Sequence, residues 1–357
     1  MAPLTLAEFE AVARERLDPV HYDFFAGGAG DETTLRANRA GFARLALLPR
    51  VLRGNGTRTT ATTLFGRDTE LPVVISPTAF HRLAHPDGEL ATARAAAGAG
   101  VVLVVSMAAT TPVEQIAAAA RAAAPERAPT LWFQLYVQPD LEFTEHLVRR
   151  AESAGCTALV VTVDSPVFGR RERDHRNGFH DLPAGLCCEN LREPGGAVRR
   201  IEMSAELSWA HIDWLRQRTA LPIVLKGVLH PEDALLAVEH GVDGLLVSNH
   251  GGRQLDTAPA TVELLPEIAA AVAGRLPLLV DGGVRRGTDV VKALALGASA
   301  VGVGRPVLWG LAAAGERGVR EVLALLREEV DHTLALCGAA SPRELGPDLV
   351  RRQEGVC

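Results

Sequence analysis

Eight short β-rich runs, each followed by an alanine-rich stretch with helical spacing, restrict this chain to one class of architecture. They cover residues 71–77, 101–106, 130–136, 158–164, 222–227, 244–249, 277–283 and 300–305. Strands joined through helices run parallel, because each crossover returns the chain to the same edge of the sheet, and eight such units close a barrel. The reading is an α/β fold: a TIM (β/α)8 barrel of residues 61–357 with an N-terminal helical extension, residues 1–60, packed on it. Stretches such as ELATARAAAGAG, VEQIAAAARAAA and DVVKALALGA supply small residues that let a helix lie close to a sheet. Several runs end in Ser106, Tyr136, Asp164, Lys226, Asn249 or Asp281, polar groups that a buried strand does not need. The C-terminal ends of barrel strands are where such folds carry chemistry. The connection at about 175–208 lacks a strand pattern, and a long loop of that kind above a barrel mouth is expected to act as a lid.

Bulk properties remove other classes. At 357 residues one barrel suffices, and 47% hydrophobic with only 4% aromatic residues suits many small helix-to-sheet contacts. A formal charge of −6 without a basic run gives no footprint for nucleic acid. Cys156, Cys187, Cys188, Cys337 and Cys357 show no metal-ligand or CxxC spacing, so neither a metal site nor a structural disulfide is expected. The start, MAPLTLAEFEAVARERL, has no basic, apolar signal pattern, and no membrane-length apolar run follows. The expectation is a soluble cytoplasmic protein with no membrane partner.

Three constellations carry chemistry. SNHGGRQLD, residues 248–256, follows the sixth run and sets His250 and Arg253 on one glycine-rich loop. Histidine takes up a proton near neutrality, and an arginine can grip a carboxylate through two parallel bonds. A histidine beside a glycine turn is more often an ordinary loop residue, but placement at a barrel strand's C-terminal end reverses those odds. DGGVRRGTDVVKALALGASAVGVGRP, residues 281–306, spans the last two runs, where glycine turns expose N–H groups to a phosphate and Arg285 or Arg305 adds charge. Gln134, Tyr136, Thr162, Asp164 and Lys226 converge at the mouth. Lys226 can set positive charge against a ring that takes up electrons, such as a reduced flavin. Of the arginines at 170, 171 and 173, only Arg171 is read as an active-site cation; Arg170 and Arg173 are expected to be solvated.

These residues give the chain its resemblance to the FMN-dependent α-hydroxy acid oxidase and dehydrogenase family, which includes glycolate, lactate and mandelate oxidising enzymes. The motifs are YDFFAGGAGDE, SPTAFHRLAHPDGE, WFQLYV, TVDSPVFGRRERD, LKGV, SNHGGRQLD, DGGVRRGTDVVKALALGA and GRP, in family order over nearly the whole chain. The resemblance implies FMN as cofactor, with Pro77, Thr78, Ala79, Ser106, Gln134, Thr162, Lys226 and Ser248 around the flavin ring. Asp281, Gly283, Arg285, Gly304 and Arg305 would hold its ribityl chain and phosphate. It implies that Tyr22 and Arg253 bind the substrate carboxylate, that Tyr136 and Arg171 support the hydroxyl or developing charge, that His250 is the base and that Asp164 stabilises its protonated form. The partners implied are a small 2-hydroxy acid and oxygen or another electron acceptor, and the assembly implied is a homotetramer.

Ala108 stands where glycolate oxidases have a tryptophan, which points to a roomier pocket and a bulky or aromatic (S)-2-hydroxy acid such as mandelate, with Phe168 reclaiming part of the space. Cys187 and Cys188 receive no role. An inosine monophosphate dehydrogenase-like barrel shares the DGG and KALALGA segments but needs a nucleophilic cysteine in a loop, and no cysteine here follows a strand end in a glycine-rich turn. A catalytically silent flavin-binding protein would be expected to lose His250, Arg253 or Tyr136, and all three are present.

Overall fold

The eight runs form eight strands, and the strands close. The structure, a computed structural model, describes residues 3–193 and 195–353; Cys357 lies outside them. Strands β1 (Val73–Ile75), β2 (Val102–Ser106), β3 (Leu131–Leu135), β4 (Leu159–Thr162), β5 (Ile223–Val228), β6 (Gly244–Val247), β7 (Leu278–Asp281) and β8 (Ala300–Val303) make a closed parallel barrel in sequence order. β5 runs one residue past its sequence run, to Val228.

Each strand is buried on both faces, so it reads as a continuous apolar run, and the period of two sorts side chains inward and outward. The barrel interior holds Val74, Val104, Trp132, Val160, Val224, Leu246, Leu279 and Ala300, one from each strand. Two residues further along, on the same inward face, stand Ser76, Ser106, Gln134, Thr162, Lys226, Ser248, Asp281 and Gly302. The barrel therefore has an apolar floor and a polar upper layer, dictated by strand periodicity alone. A hairpin of Thr62–Leu64 and Arg67–Thr69 plugs the bottom, with Phe65 edge-on to Trp132 at 5.3 Å.

Three helices precede the barrel. In α1 (Leu6–Arg16), capped by Thr5 Oγ1 accepting from the Glu8 amide at 3.2 Å, Leu6, Phe9 and Ala13 form one buried face. That face packs on the last helix, Arg305–Cys337, which is kinked at Ala314 and Gly315. Asp18 caps α2 (Pro19–Ala26), and Pro19 opens it. Thr34, Asn38 and Phe42 lie on the buried face of α3 (Thr33–Ala43). Leu45–Leu47 pairs antiparallel with Val350–Arg352.

Among the described residues, the connection over 175–208 takes in the end of a short helix, Glu172–Arg176, a 3-10 turn, Glu189–Leu191, and an isolated bridge between Arg192 and Val198. It is pinned to the barrel by Asn190, which donates to the Ser106 carbonyl at 3.0 Å and accepts from the Val113 amide at 2.8 Å. Cys156, Cys187, Cys188 and Cys337 are free thiols. No helix among the described residues is long and apolar enough to cross a membrane.

Candidate active site

The polar upper layer opens into a cavity at the C-terminal ends of the strands. Most residues singled out from the sequence meet there: Pro77, Thr78, Ala79, Ser106, Ala108, Gln134, Tyr136, Thr162, Phe168, Arg171, Lys226, His250, Arg253, Asp281, Gly283, Arg285, Gly304 and Arg305 all line it. A ladder of side chains crosses three strands on its floor. Ser106 Oγ donates to Gln134 Oε1 at 3.3 Å, and Gln134 Nε2 donates to Thr162 Oγ1 at 3.1 Å. Lys226 lies beside Thr162 in register.

His250 follows β6 with φ of 58°, a left-handed backbone that a non-glycine residue seldom adopts and that functional sites often hold. Its amide donates to Ser248 Oγ at 3.1 Å. Ser248 is fully buried beneath the loop and does not line the cavity, so its contact supports the loop. A reciprocal pair of amide bonds joins Asn249 to Asn38 of α3, at 2.8 and 2.7 Å, and fixes the loop from the other side. Close packing also sets the neighbouring turn: Gly283 has φ of 93°, and a Cβ there would stand 2.2 Å from the Asn38 carbonyl oxygen.

His250 Nδ1 lies 3.0 and 3.1 Å from the two carboxylate oxygens of Asp164. An ionised carboxylate only accepts, so Nδ1 carries the proton and the Nε2 lone pair is left towards the cavity, 3.5 Å from the Tyr136 hydroxyl. Burial pushes the His250 pKa below the ordinary histidine value, against the upward pull of Asp164, with Lys226 adding to the depression. For Asp164, burial alone would raise the value, but the charges of His250 and Lys226 and hydrogen bonds from His250 and Ser165 hold it far below the carboxylate range. Burial, and then the charge of Asp164, raise Tyr136 above its usual value, so it stays a donor. The result is a neutral base, an ionised partner and a protonated phenol in one chain of contacts.

The cavity is short of negative charge. Arg171, Lys226, Arg253, Arg285 and Arg305 line it, against the one lining carboxylate of Asp281, with Asp174 paired to Arg171 at 3.3 Å outside the lining. Burial and the charges of Arg171 and Arg305 hold Arg253 well below the usual arginine value, and burial, chiefly, brings both Arg285 and Arg305 down to about 10. Among the described residues four buried polar side-chain atoms lack a partner, and three are in this wall: Lys226 Nζ, Asp281 Oδ1 and Arg285 Nε. Buried orphans are rare in native proteins. Crowded cations and orphaned polar atoms fit a phosphate at Arg285 and Arg305, a polar ring edge over Lys226, and a carboxylate at Arg171 and Arg253. The fourth orphan, Trp309 Nε1, is outside the cavity.

Besides Ser248, two expectations need correction. Tyr22 does not line the cavity: its ring stacks on Trp309 at 5.4 Å. Phe24, two residues on, takes the place expected of it. Successive helical residues turn by about 100°, so residues 22 and 24 of α2 face nearly opposite ways. The Phe24 ring lies under the guanidinium groups of Arg253 at 5.0 Å and Arg171 at 5.7 Å, and its carbonyl accepts from Arg253 Nη1 at 2.7 Å. Arg173 is not merely solvated: it pairs with Asp23 at 3.2 Å and Glu32 at 2.7 Å, tying the loop after β4 to the N-terminal helices.

The cavity also has lining residues that no sequence pattern marks. Phe80 stacks on Phe24 at 5.3 Å, with Phe179 behind Phe24 at 4.9 Å. Ile201 and Met203 come from the long connection, where no periodicity marked them. Ser165 in TVDSPVFGRRERD and Gln254 in SNHGGRQLD are marked only by their polar side chains.

Comparison with known proteins agrees with this geometry. The profile of the family described as FMN-dependent dehydrogenase matches residues 13–352. The chain is 46% identical to 2-hydroxyacid oxidase 2 of Mus musculus, covering 98% of this chain and 99% of the relative. It is 44% identical to L-lactate oxidase of Nostoc sp., covering 96% and 97%. Its structure superposes on a tyrosine-to-phenylalanine variant of mandelate oxidase with (S)-mandelic acid at a TM-score of 0.91, and on mandelate oxidase with benzoyl-formic acid at 0.90, each at 46% identity over 100% of both chains. The chain therefore belongs to the FMN-dependent α-hydroxy acid oxidase and dehydrogenase family, whose enzymes oxidise 2-hydroxy acids to 2-oxo acids.

Proposed function

We propose that this enzyme uses FMN to oxidise a bulky or aromatic (S)-2-hydroxy acid of the mandelate kind to its 2-oxo acid, with oxygen as acceptor and hydrogen peroxide as second product. One observation carries the substrate class: the cavity that holds the arginine pair has an apolar, partly aromatic lining of Phe24, Phe80, Ala108, Ile201 and Met203, with Phe168 at 55% exposure on the rim. A phenyl or long alkyl group buries well there, whereas glycolate would leave the wall wet. The likeness to mandelate oxidase with (S)-mandelic acid supports the same reading, and the oxidase names of the relatives support oxygen as acceptor.

Bound at this site, FMN supplies the acceptor for two electrons. Arg285 and Arg305, with the turns at Gly283 and Gly304, would hold its phosphate; Ser106, Gln134, Thr162 and Lys226 would meet the polar edge of the ring. Arg253 and Arg171 grip the substrate carboxylate, and Tyr136 donates to its hydroxyl oxygen. His250 Nε2 removes a proton as electrons leave the α-carbon, and Asp164, 3.0 Å behind, stabilises the imidazolium formed. Residues 1–60 act as an extension on the barrel of 61–357, and 175–208 as a lid. A homotetramer is proposed from the family resemblance, to be checked by light scattering.

The test is anaerobic. A yellow protein is mixed with a panel of 2-hydroxy acids including both mandelate enantiomers, and air is then admitted. Bleaching by (S)-mandelate faster than by glycolate, with recovery and peroxide release in air, is expected. Bleaching without recovery would replace the oxidase with a dehydrogenase, and a protein that takes up no FMN would overturn the proposal.

A further inference from the structure

The loop after β4 carries Asp164, Phe168 and Arg171, and the loop after β6 carries His250 and Arg253, so the site works only if the two loops keep their relative position. The first loop is irregular and has backbone groups to satisfy. One side chain from the second loop satisfies three of them. Gln254 Nε2 donates to the carbonyls of Asp164 and Val167, each at 3.0 Å, and Gln254 Oε1 accepts from the Gly169 amide at 2.8 Å. Two carbonyls and one N–H fix the amide's orientation, because the reverse would set oxygen against oxygen. The seam is tight elsewhere as well: a Cβ at Gly169 would lie 2.1 Å from the Arg253 carbonyl oxygen.

We propose that Gln254 is a positioning residue that locks the β4 loop to the β6 loop and thereby sets Asp164 on His250 and Arg171 beside Arg253. The proposal rests on the reading of His250 as base and Asp164 as its partner. Gln254 touches neither imidazole nor carboxylate. It acts through the Asp164 carbonyl, whose own side chain meets His250 Nδ1 at 3.0 Å. A glutamate of the same shape would offer the two carbonyls no hydrogen when ionised, and a methionine would leave all three groups without a partner.

The experiment uses the FMN-loaded enzyme and three variants, D164N, Q254M and D164N/Q254M, with G169A as an independent disruption of the same seam. The readouts are the pH dependence of anaerobic flavin bleaching and the protonation of His250 followed by 15N-histidine NMR. A displacement of about 1 Å at a reacting group costs on the order of 10²-fold in rate, and Q254M is expected to show a loss of that size. Its acid limb should shift to lower pH, because His250 loses part of the attraction that favours its proton. G169A should move the limb the same way, which keeps the question answerable if Q254M fails to fold. In the D164N background Q254M should move it no further. A limb that D164N shifts but Q254M and G169A leave in place overturns the role of Gln254 and spares the His250–Asp164 pair. A limb unmoved by D164N removes the pair, and the positioning role with it.

Discussion

Replacing Ala108 by tryptophan tests the substrate class directly. Ala108 lines the cavity beside Phe80, and its backbone is held twice: its amide donates to Ser106 Oγ at 3.1 Å and its carbonyl accepts from the Phe80 amide at 3.3 Å. A larger side chain cannot retreat by moving the backbone and must enter the wall that a substrate ring would use. Each methylene that a pocket cannot seat changes discrimination by about 10- to 200-fold. An indole displaces more than two such units, so A108W should lower kcat/KM for (S)-mandelate by at least about 10²-fold, or roughly 2.7 kcal/mol of transition-state stabilisation. Lactate, whose methyl group stays near the arginines, should lose less than about 10-fold on the same scale. Rapid-mixing measurements of anaerobic bleaching give both constants, with the visible spectrum and a thermal melt as controls for flavin and fold. If the ratio of the two constants stays within about threefold, the ring does not lie against Ala108 and the aromatic wall is not the specificity surface.

H250A should retain flavin and lose substrate-driven bleaching. In the wild type the acid limb should fall below about pH 6.5, the ordinary histidine value, because burial favours the neutral base and rate disappears only once it is protonated; a limb above pH 7 would contradict this. R253M should weaken carboxylate binding by about 10- to 100-fold, the worth of a charged hydrogen bond, as read by a competitive 2-oxo acid titration, and unchanged affinity would remove Arg253 from the clamp. Y22F should leave KM within about twofold, since a fold-neutral change away from the site perturbs little; a tenfold rise would return Tyr22 to the site. W132A should destabilise the barrel by about 3–5 kcal/mol in denaturant unfolding, because the indole is 1% exposed at the interior floor.

The eight strands were legible because their constraint is local: a strand buried on both faces must be an unbroken apolar run, and the first polar residue on its inward face marks the mouth. Ser106, Gln134, Thr162, Lys226 and Asp281 all follow that rule. Tyr22 failed because the motif YDFFAGG gives the helix but not its rotation, which depends on α2 settling against Trp309 and beneath Arg253. Ile201 and Met203 could not be found from pattern, since a connection without repeating structure has no period to read. Arg173 reads as a surface charge because its partners, Asp23 and Glu32, lie 150 and 141 positions away in sequence.

The same contrast separates what this site does from what it does it to. The polar layer is fixed by the barrel: each of its eight positions is two residues beyond an interior apolar one, so the cavity floor follows from strand geometry. The apolar wall has no such origin. Phe24 comes from a helix before the barrel, Ala108 and Phe80 from short loops, and Ile201 and Met203 from the long connection. The two sets are joined by arginines: Gly27, just after α2, accepts from Arg253 Nη1 at 3.0 Å and from Arg305 Nη2 at 2.8 Å. One carbonyl of the N-terminal extension thus ties Arg253 to Arg305 and brings Phe24 with it. The lining can therefore vary at residues that the barrel does not need, while Ser106, Gln134, Thr162, Lys226 and Asp281 stay where the strands put them.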